Sequence, residues 1–482
     1  MSNVRGLSAL LVTALLALST LLVGGVGSAV AASGDPRVIA RLNDEQRRLY
    51  ADWVEARAAF DKQQDAYWSA VAARRAERRR KMGAGQPVTA ADFVMQHPPK
   101  YAGPALRPDI AKVMAEVDPP STVSEITTLP EMLEAARKYY GFAPTLIPER
   151  EFKRRYAKEA LALGLTRDEV VRIYAFETGG RGTFDMQAGI NPETRAGRAI
   201  STALGYAQLL AANSIDELVR YGDGFVVRLN AMAAAPGTPP ERVRELKAKA
   251  DVLRAMMRTG RSVPREWSRH VELARSPQGY AMHVLNLDGD VGPWLQVIKL
   301  KGIKDTAEQA GRGRLSPAEL ELMNLAGPRT GLEMMEPAGA AAPTANFFSR
   351  AAYWRNTIVR EKTGGELLAA IDQRMNENMV RAGSVEFVAV FDETMGQPRQ
   401  MHAQEKHNLL PAASRQPPAA PQPVPATRLA VPQEPVAAAP SHPVPPMPVR
   451  AVRPQSAQSQ PRLDWAPPRL REQVQRLEGF AN

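Results

Sequence analysis

Thr166-Arg167-Asp168-Glu169-Val170-Val171-Arg172-Ile173-Tyr174-Ala175-Phe176-Glu177-Thr178-Gly179-Gly180 is the stretch on which the reading of this chain turns. Thr166, followed three residues later by Glu169, is a capping box that starts a helix, and acids occupy the first turn, where the helix dipole favours them. Val170, Ile173, Tyr174 and Glu177 recur at helical spacing, so Glu177 shares the apolar face that turns inward. Gly179 and Gly180 end the helix and let the chain turn away. The spacing therefore predicts a carboxylate partly withdrawn from water at the rim of a turn. Desolvation disfavours the charged form, and a carboxyl kept protonated near neutral pH can give its proton to a glycosidic oxygen. A Glu beside a glycine C-cap is more commonly a plain solvated carboxylate.

A second segment gives the first its meaning. Ser201-Thr202-Ala203-Leu204-Gly205-Tyr206-Ala207-Gln208 is small and polar, and precedes helical sequence with Leu209, Leu210 and Ile215. Gly205 permits close backbone approach, and Gln208 offers both a donor and an acceptor to a sugar amide.

Together the two segments resemble the soluble-type lytic transglycosylases and the wider lysozyme-like group. That family carries Glu-Ser-Gly at its acid, where this chain has Glu177-Thr178-Gly179. It then has a Ser and Gly-Ala-x-Gly-Leu-Met-Gln, matched here by Ser201 and by Ala203, Gly205 and Gln208 in register. Thr202 replaces a Gly, and Tyr206-Ala207 replaces Leu-Met. The family's Ala-Tyr-Asn-Ala-Gly has its nearest counterpart in Val284 to Gly289, with a loose fit at Asn286 and Gly289, the latter one residue beyond the family's Gly, and with Leu285 in place of the Tyr. Tyr280, on the preceding turn, is the candidate substitute. The resemblance covers roughly residues 145–300.

What the resemblance implies is a mainly α, lysozyme-like core that cleaves peptidoglycan between N-acetylmuramic acid and N-acetylglucosamine. Glu177 would be the catalytic acid and then the base, leaving a 1,6-anhydro product. Ser201, Gly205, Tyr206, Gln208, Tyr280 and Asn286 would meet the glycan, without cofactor or metal. A neighbouring carboxylate, Asp185, would make the enzyme a hydrolase instead. A wall-binding scaffold on an inactive core of the same kind is the alternative from another class.

Three further features lie in or near the third segment. Asp288-Gly289-Asp290 lacks the remaining ligands of a calcium loop. His283 has no partner in sequence and reads as structural. Trp294 reads as core more readily than as a sugar platform.

The start of the chain reads as an export signal. Arg5 is the only charge before Asp35, residues 7–25 are apolar, and Ala29-Val30-Ala31 suits cleavage after Ala31. Left uncut, the same run approaches the length of a membrane anchor. The chain has 62 Lys+Arg against 51 Asp+Glu, a formal net charge of +11. Export turns that charge toward the cell wall and acidic lipid and removes nucleic acid from the expected partners. There is no Cys, which excludes disulfides, thiol catalysis and Cys-bound metals.

The remainder divides by composition. Residues 32–82 are expected to hold one long amphipathic helix, over 44–80, capped by Asn43 with Gln46. Leu42, Leu49, Trp53, Ala56, Phe60 and Tyr67 form its apolar stripe, suited to packing on the protein or to self-association. The basic run from Arg74 to Lys81 reads as a solvated helix end or an adhesive patch. Residues 83–109 read as a linker and 110–395 as the core. Within the core, helices are expected over 206–221, 240–258 and 365–381, a flexible connection around 336–345, and a strand at Val385–Phe391. Residues 396–468 form a Pro-rich tail, with 17 of the 40 Pro in 411–468; such composition does not fold alone. Leu470, Val474, Leu477 and Phe480 make residues 469–482 a short amphipathic helix. Tail and helix are candidate docking elements for periplasmic proteins.

Overall fold

The computed structural model describes residues 34–119 and 126–396. The expected signal, the tail beyond Gly396 and the terminal amphipathic segment lie outside the described residues. Among the described residues the protein is mainly helical, with four isolated β-bridges and no strand. Among those residues no helix is long and apolar enough to cross a membrane.

The N-terminal part is an arm. A short helix, α1 (Pro36–Ile39), leads into α2 (Asp44–Gly83), whose 40 residues span about 60 Å at 1.5 Å per residue. The capping box of Asn43 and Gln46 is present at its start. The chain then returns along α2 as a strap and forms α3 (Pro108–Val117) beside α1. Val38, Leu42, Tyr50, Val54 and Ile110 make a small core of their own at this tip. The segment 83–109 is therefore a packed strap, not a free linker: Gln64 donates to Pro99 O at 2.6 Å, and Tyr67 to Gln96 O at 2.9 Å. The core proper begins after α3.

The inward row of α2 is Tyr50, Val54, Arg57, Asp61, Gln64, Trp68, Val71, Arg75 and Arg78, at alternating four- and three-residue steps. Beyond Leu42, the apolar stripe flanks that row and is only half-buried. The difference arises because the row itself carries Arg, Asp and Gln. The basic run also divides. Arg78, 1% exposed, pairs with Glu333, donates to Asn346 O and lies over the Phe93 ring at 4.2 Å. Arg75 donates to the carbonyls of Asn346 and Phe348. A solvated helix end is thus corrected to a docked one for these two residues.

The core packs α4 (Leu129–Tyr140), α5 (Glu149–Ala162), α6 (Arg167–Thr178), α7 (Ala211–Ala234), α8 (Pro240–Gly260), α9 (Trp267–Leu273) and α10 (Pro277–Met282) with a second group. That group comprises α11 (Val291–Gln309), α12 (Pro317–Ala326), α13 (Pro328–Met335), α14 (Pro337–Ala341), α15 (Arg350–Arg355), α16 (Gly364–Met379) and α17 (Ala382–Gly396). One continuous apolar cluster joins them. α6 is central, with α5, α12, α16 and α17 packed on it.

Three local expectations change. Val385–Phe391 is part of α17, where Ser384, Phe387 and Phe391 are buried at helical spacing and Val385 is 55% exposed. Residues 336–345 are not a flexible connection, since Ala342, Thr344 and Ala345 are fully buried. The small side chains there permit close backbone packing; a Cβ on Gly339 would lie 1.9 Å from Glu333 O. The helix expected from 206 starts at Ala211, because Gly205 and Gln208 take left-handed φ values of 73° and 43°.

Candidate active site around Glu177

The capping box that starts α6 is present: Thr166 N donates to Glu169 Oε2 at 2.7 Å and Glu169 N to Thr166 Oγ1 at 3.2 Å. About three turns of apolar contact carry the helix inward to Glu177, which is 3% exposed. Gly179 and Gly180 then reverse the chain with φ of 66° and 69°. A Cβ on Gly180 would lie 2.4 Å from Asn378 O, so the turn is pressed against the junction of α16 and α17.

Polar groups from two other helices form a chain that ends on Glu177. Asn324 of α12 donates from Nδ2 to Glu177 Oε1 at 3.1 Å and to Glu321 Oε2 at 3.0 Å. Lys299 of α11 donates to Asn324 Oδ1 at 2.6 Å. Glu321 is fully buried, whereas Asn324 and Lys299 are half-buried. The cluster thus runs from the interior to the solvent edge.

The second sequence segment lies against the end of α6. Gly182 packs on Thr178 and Met186. Met186 O then accepts from Gly205 N at 3.1 Å and from Gln208 Nε2 at 3.3 Å. Bridges between Gln187 and Leu204, and between Leu204 and Leu209, fold the loop on itself. Ser201 is half-buried; its Oγ accepts from Ala203 N and its carbonyl from Gln187 Nε2.

Not every expected contact residue faces outward. Gly205 is buried, and a Cβ there would meet the amide of Gln296 at 2.5 Å. Tyr206 is 1% exposed among Phe152, Tyr156, Tyr174 and Phe387. Its hydroxyl donates to Glu149 Oε1 at 2.5 Å. Burial, with the Glu149 charge, holds the phenol well above the usual tyrosine range. Burial also raises Glu149, against the Tyr206 bond and the Lys153 charge. Asn286 is fully buried and donates to Ser214 Oγ at 2.8 Å and to His283 O at 2.8 Å. The expected glycan contacts of Gly205, Tyr206 and Asn286 are corrected to internal ones. Tyr280 is half-buried beside Glu131, Glu134 and Tyr139, facing α4 and not Glu177.

The third segment still joins the second, through a residue that pattern reading missed. Gln296, fully buried, accepts from Tyr206 N at 3.0 Å and reaches Asn286 O at 3.4 Å. His283 accepts or donates at Nδ1 with Ser214 Oγ, 2.8 Å away, and Nε2 lies 2.7 Å from Thr202 O. It is structural, and burial pushes its imidazole down to about 4, so it is neutral. Trp294 is core, with the Arg228 guanidinium 4.0 Å from its ring centre. Asp185 is not simply solvated: Arg195 pairs with it at 2.5 Å and Thr183 donates at 2.6 Å. The Asp288-Gly289-Asp290 turn is pinned by the protein's own cation, Lys249. Among the described residues no group of His, Asp or Glu is arranged to hold a metal ion.

Glu321, Asn324 and Lys299 were not singled out from sequence. The one available signal was a Glu inside the apolar run Leu320-Glu321-Leu322-Met323, with Asn324 one helical turn beyond it. Comparison with protein-family models, with curated proteins and with solved structures gives no match to this chain.

Proposed function

We propose that the chain is an exported, periplasmic lytic transglycosylase that cleaves peptidoglycan, with Glu177 as its acid and then its base. The observation that carries the reading is Glu177 itself. Its carboxyl is 3% exposed at the end of a helix that stops in two left-handed glycines, and it is hydrogen-bonded by the half-buried Asn324. The Ser201–Gln208 loop abuts the same helix end.

In this reading Glu177 gives its proton to the oxygen linking N-acetylmuramic acid to N-acetylglucosamine, and the C–O bond at the muramyl anomeric carbon breaks. The acetamido group of the substrate supports that carbon, so no second protein carboxylate is needed. The carboxylate then takes the proton of the muramyl 6-hydroxyl, whose oxygen closes the 1,6-anhydro ring. Ser201 and Gln208 orient the sugar. The amide nitrogen of Gln208 is engaged with Met186 O and Gly205 O, so it presents its carbonyl oxygen. No cofactor enters this chemistry. The Pro-rich tail and terminal segment are assigned to periplasmic protein partners, and an uncut signal would anchor the chain to the membrane.

The internal placement of Gly205, Tyr206 and Asn286 favours a second reading, a peptidoglycan-binding scaffold on an inactive core. Digestion of purified peptidoglycan by the full chain and by Glu177→Gln, read by mass spectrometry, separates them. Anhydro-muropeptides lost in the variant support the lyase. Reducing-end products would mark a hydrolase and turn attention to Asp185. Absence of products from a folded chain that sediments with the wall would leave the scaffold.

A further inference from the structure

The outer face of α8 carries a row of cations. Arg244, Lys247, Asp251, Arg254 and Arg258 recur at alternating three- and four-residue steps, and all are exposed. That spacing keeps them on one side of the helix over about 21 Å at 1.5 Å per residue. Arg254 pairs with Asp251 at 2.6 Å, with both side chains open to water. Arg244, Lys247 and Arg258 form no ion pair among the described residues.

The positive surface continues past the helix end. Arg261, Arg265 and Arg269 are exposed, and so is Trp267, which opens α9 at 52% exposure. Arg261 meets Asp223 of α7 at 2.7 Å and Arg269 meets Glu272 at 3.1 Å, again as exposed pairs. Exposed pairs of this kind hold little energy, so their cations stay available to another anion. Residues 244–269 thus present seven exposed cations and one exposed acid, Asp251.

We infer that the exposed face of α8 and the turn into α9 form a docking surface for an anionic phospholipid bilayer. A straight row of cations on a convex helix suits a flat array of phosphates, where each Lys or Arg adds about fivefold in affinity. The indole favours lipid over a soluble polyanion. Its body is apolar and its N–H is a donor, and such rings settle at the level of lipid headgroups. Phosphate contacts alone would have no use for it. The inference uses no residue of the Glu177 cluster and stands or falls apart from the lyase reading.

The test is sedimentation of the full chain with vesicles of pure phosphatidylcholine, and of phosphatidylcholine mixed with phosphatidylglycerol, at low and high salt. Binding through the apolar residues 7–25 appears with both compositions, so the quantity read is the increment that phosphatidylglycerol adds. Wild type is compared with Arg244→Gln/Lys247→Gln/Arg258→Gln and with Trp267→Phe. A third variant, Lys62→Gln/Arg74→Gln/Arg79→Gln, removes the same charge from exposed positions of α2. The expected increment is large at low salt and screened at high salt. It falls about a hundredfold in affinity in the α8 variant and by less than about threefold in the α2 variant. Wild-type tryptophan emission shifts to the blue on adding mixed vesicles, and Trp267→Phe loses that shift. Equal losses in the α8 and α2 variants would mean attraction by net charge alone and overturn the inference. An increment that survives in the α8 variant, or a blue shift that survives in Trp267→Phe, overturns it as well. So does sedimentation with purified peptidoglycan that the α8 variant loses while its vesicle binding is unchanged, which would give the face to the wall polymer.

Discussion

The ammonium nitrogen of Lys249 lies 2.6 Å from Asp290 Oδ2, with both side chains almost wholly buried. The same nitrogen is 2.8 Å from Asp288 Oδ2, and Arg155 and Arg242 also reach Asp290. Asp288 accepts from the backbone N–H groups of Asp290 and Val291, which caps the start of α11, and from that of Thr145. One ion cluster thus ties α5, α8 and α11 to the loop ahead of α5. A pair of aspartates that reads as a possible calcium turn in sequence is a cross-link closed by a lysine.

Removing Lys249 leaves two buried carboxylates without their central cation, so Lys249→Met is expected to cost about 3–5 kcal/mol of stability. For Asp290, burial opposes the charge, and Lys249 and Arg242 overcome it, holding the carboxyl below the usual range. Its contribution is present above the unfolded-state value of about 4 and is lost as pH falls through the lower folded value. For Lys249, burial again opposes the charge, and Asp288 and Asp290 overcome it, raising the ammonium. That contribution is present below about pH 10.4 and is lost above the raised folded value. Denaturant unfolding across pH should show both losses in wild type and a flatter profile in Lys249→Met.

His283 also loses stability toward acid, because its folded-state imidazole is buried and neutral. Burial lowers it to about 4, so the unfolded chain takes up a proton between roughly pH 6.5 and 4 that the folded chain refuses. Stability is complete above about pH 6.5 and falls by about 3 kcal/mol as pH drops to 4. His283→Gln should show less acid sensitivity in that window. A wild-type unfolding curve with no loss between pH 6.5 and 4 attributable to this residue would contradict the neutral, enclosed imidazole.

Glu217 reverses the usual sign for a carboxylate. Burial pushes it up to about 7; Arg220 opposes the shift and Asp216 adds to it. Its Oε2 has no hydrogen-bond partner. In the unfolded chain the group ionises near 4.5, so stability falls as pH rises from about 4.5 to 7, by about 3 kcal/mol in total. Glu217→Gln should therefore be more stable than wild type at pH 8 and about equal to it at pH 4. Equal stability at both pH values would mean that the carboxyl ionises inside the fold at its ordinary pH.

How the arm is held can be tested at adjacent arginines. Arg78 is enclosed by Glu333, Asn346 and Phe93, whereas Arg79 is exposed. Arg78→Ala should destabilise by about 3–5 kcal/mol and speed proteolytic cutting within 84–107. Arg79→Ala should stay within about 0.5 kcal/mol of wild type.

These residues also mark where sequence reading reached and where it stopped. The α6 start, its inward face and its glycine end were legible because capping, period and left-handed turns are local. The same holds for the Asn43 cap of α2. The inward row of α2 was not legible, because Arg57, Asp61, Gln64, Arg75 and Arg78 are charged or polar; Arg57 and Asp61 pair with each other, and the partners of Gln64, Arg75 and Arg78 lie in the strap or far along the chain. Val385–Phe391 satisfied both an alternating and a helical pattern, and only packing against Tyr156 and Tyr174 selects the helix. In the candidate site, Glu177 was found from its own helix. Asn324 stands 147 residues away, and nothing local announces that its amide meets Glu177.

Tyr206 tests whether the second segment contacts glycan or only supports the site. Its ring is enclosed by four aromatic neighbours and its hydroxyl is committed to Glu149. Tyr206→Phe removes that bond and leaves Glu149 with the Phe184 N–H and the Lys153 charge. The expected cost is about 1–3 kcal/mol in denaturant unfolding. KM for peptidoglycan fragments should not change, since no ring face is open to a sugar. A KM raised tenfold with little change in stability would put Tyr206 in the binding cleft and require the loop to open, because the enclosed ring has no other route to substrate.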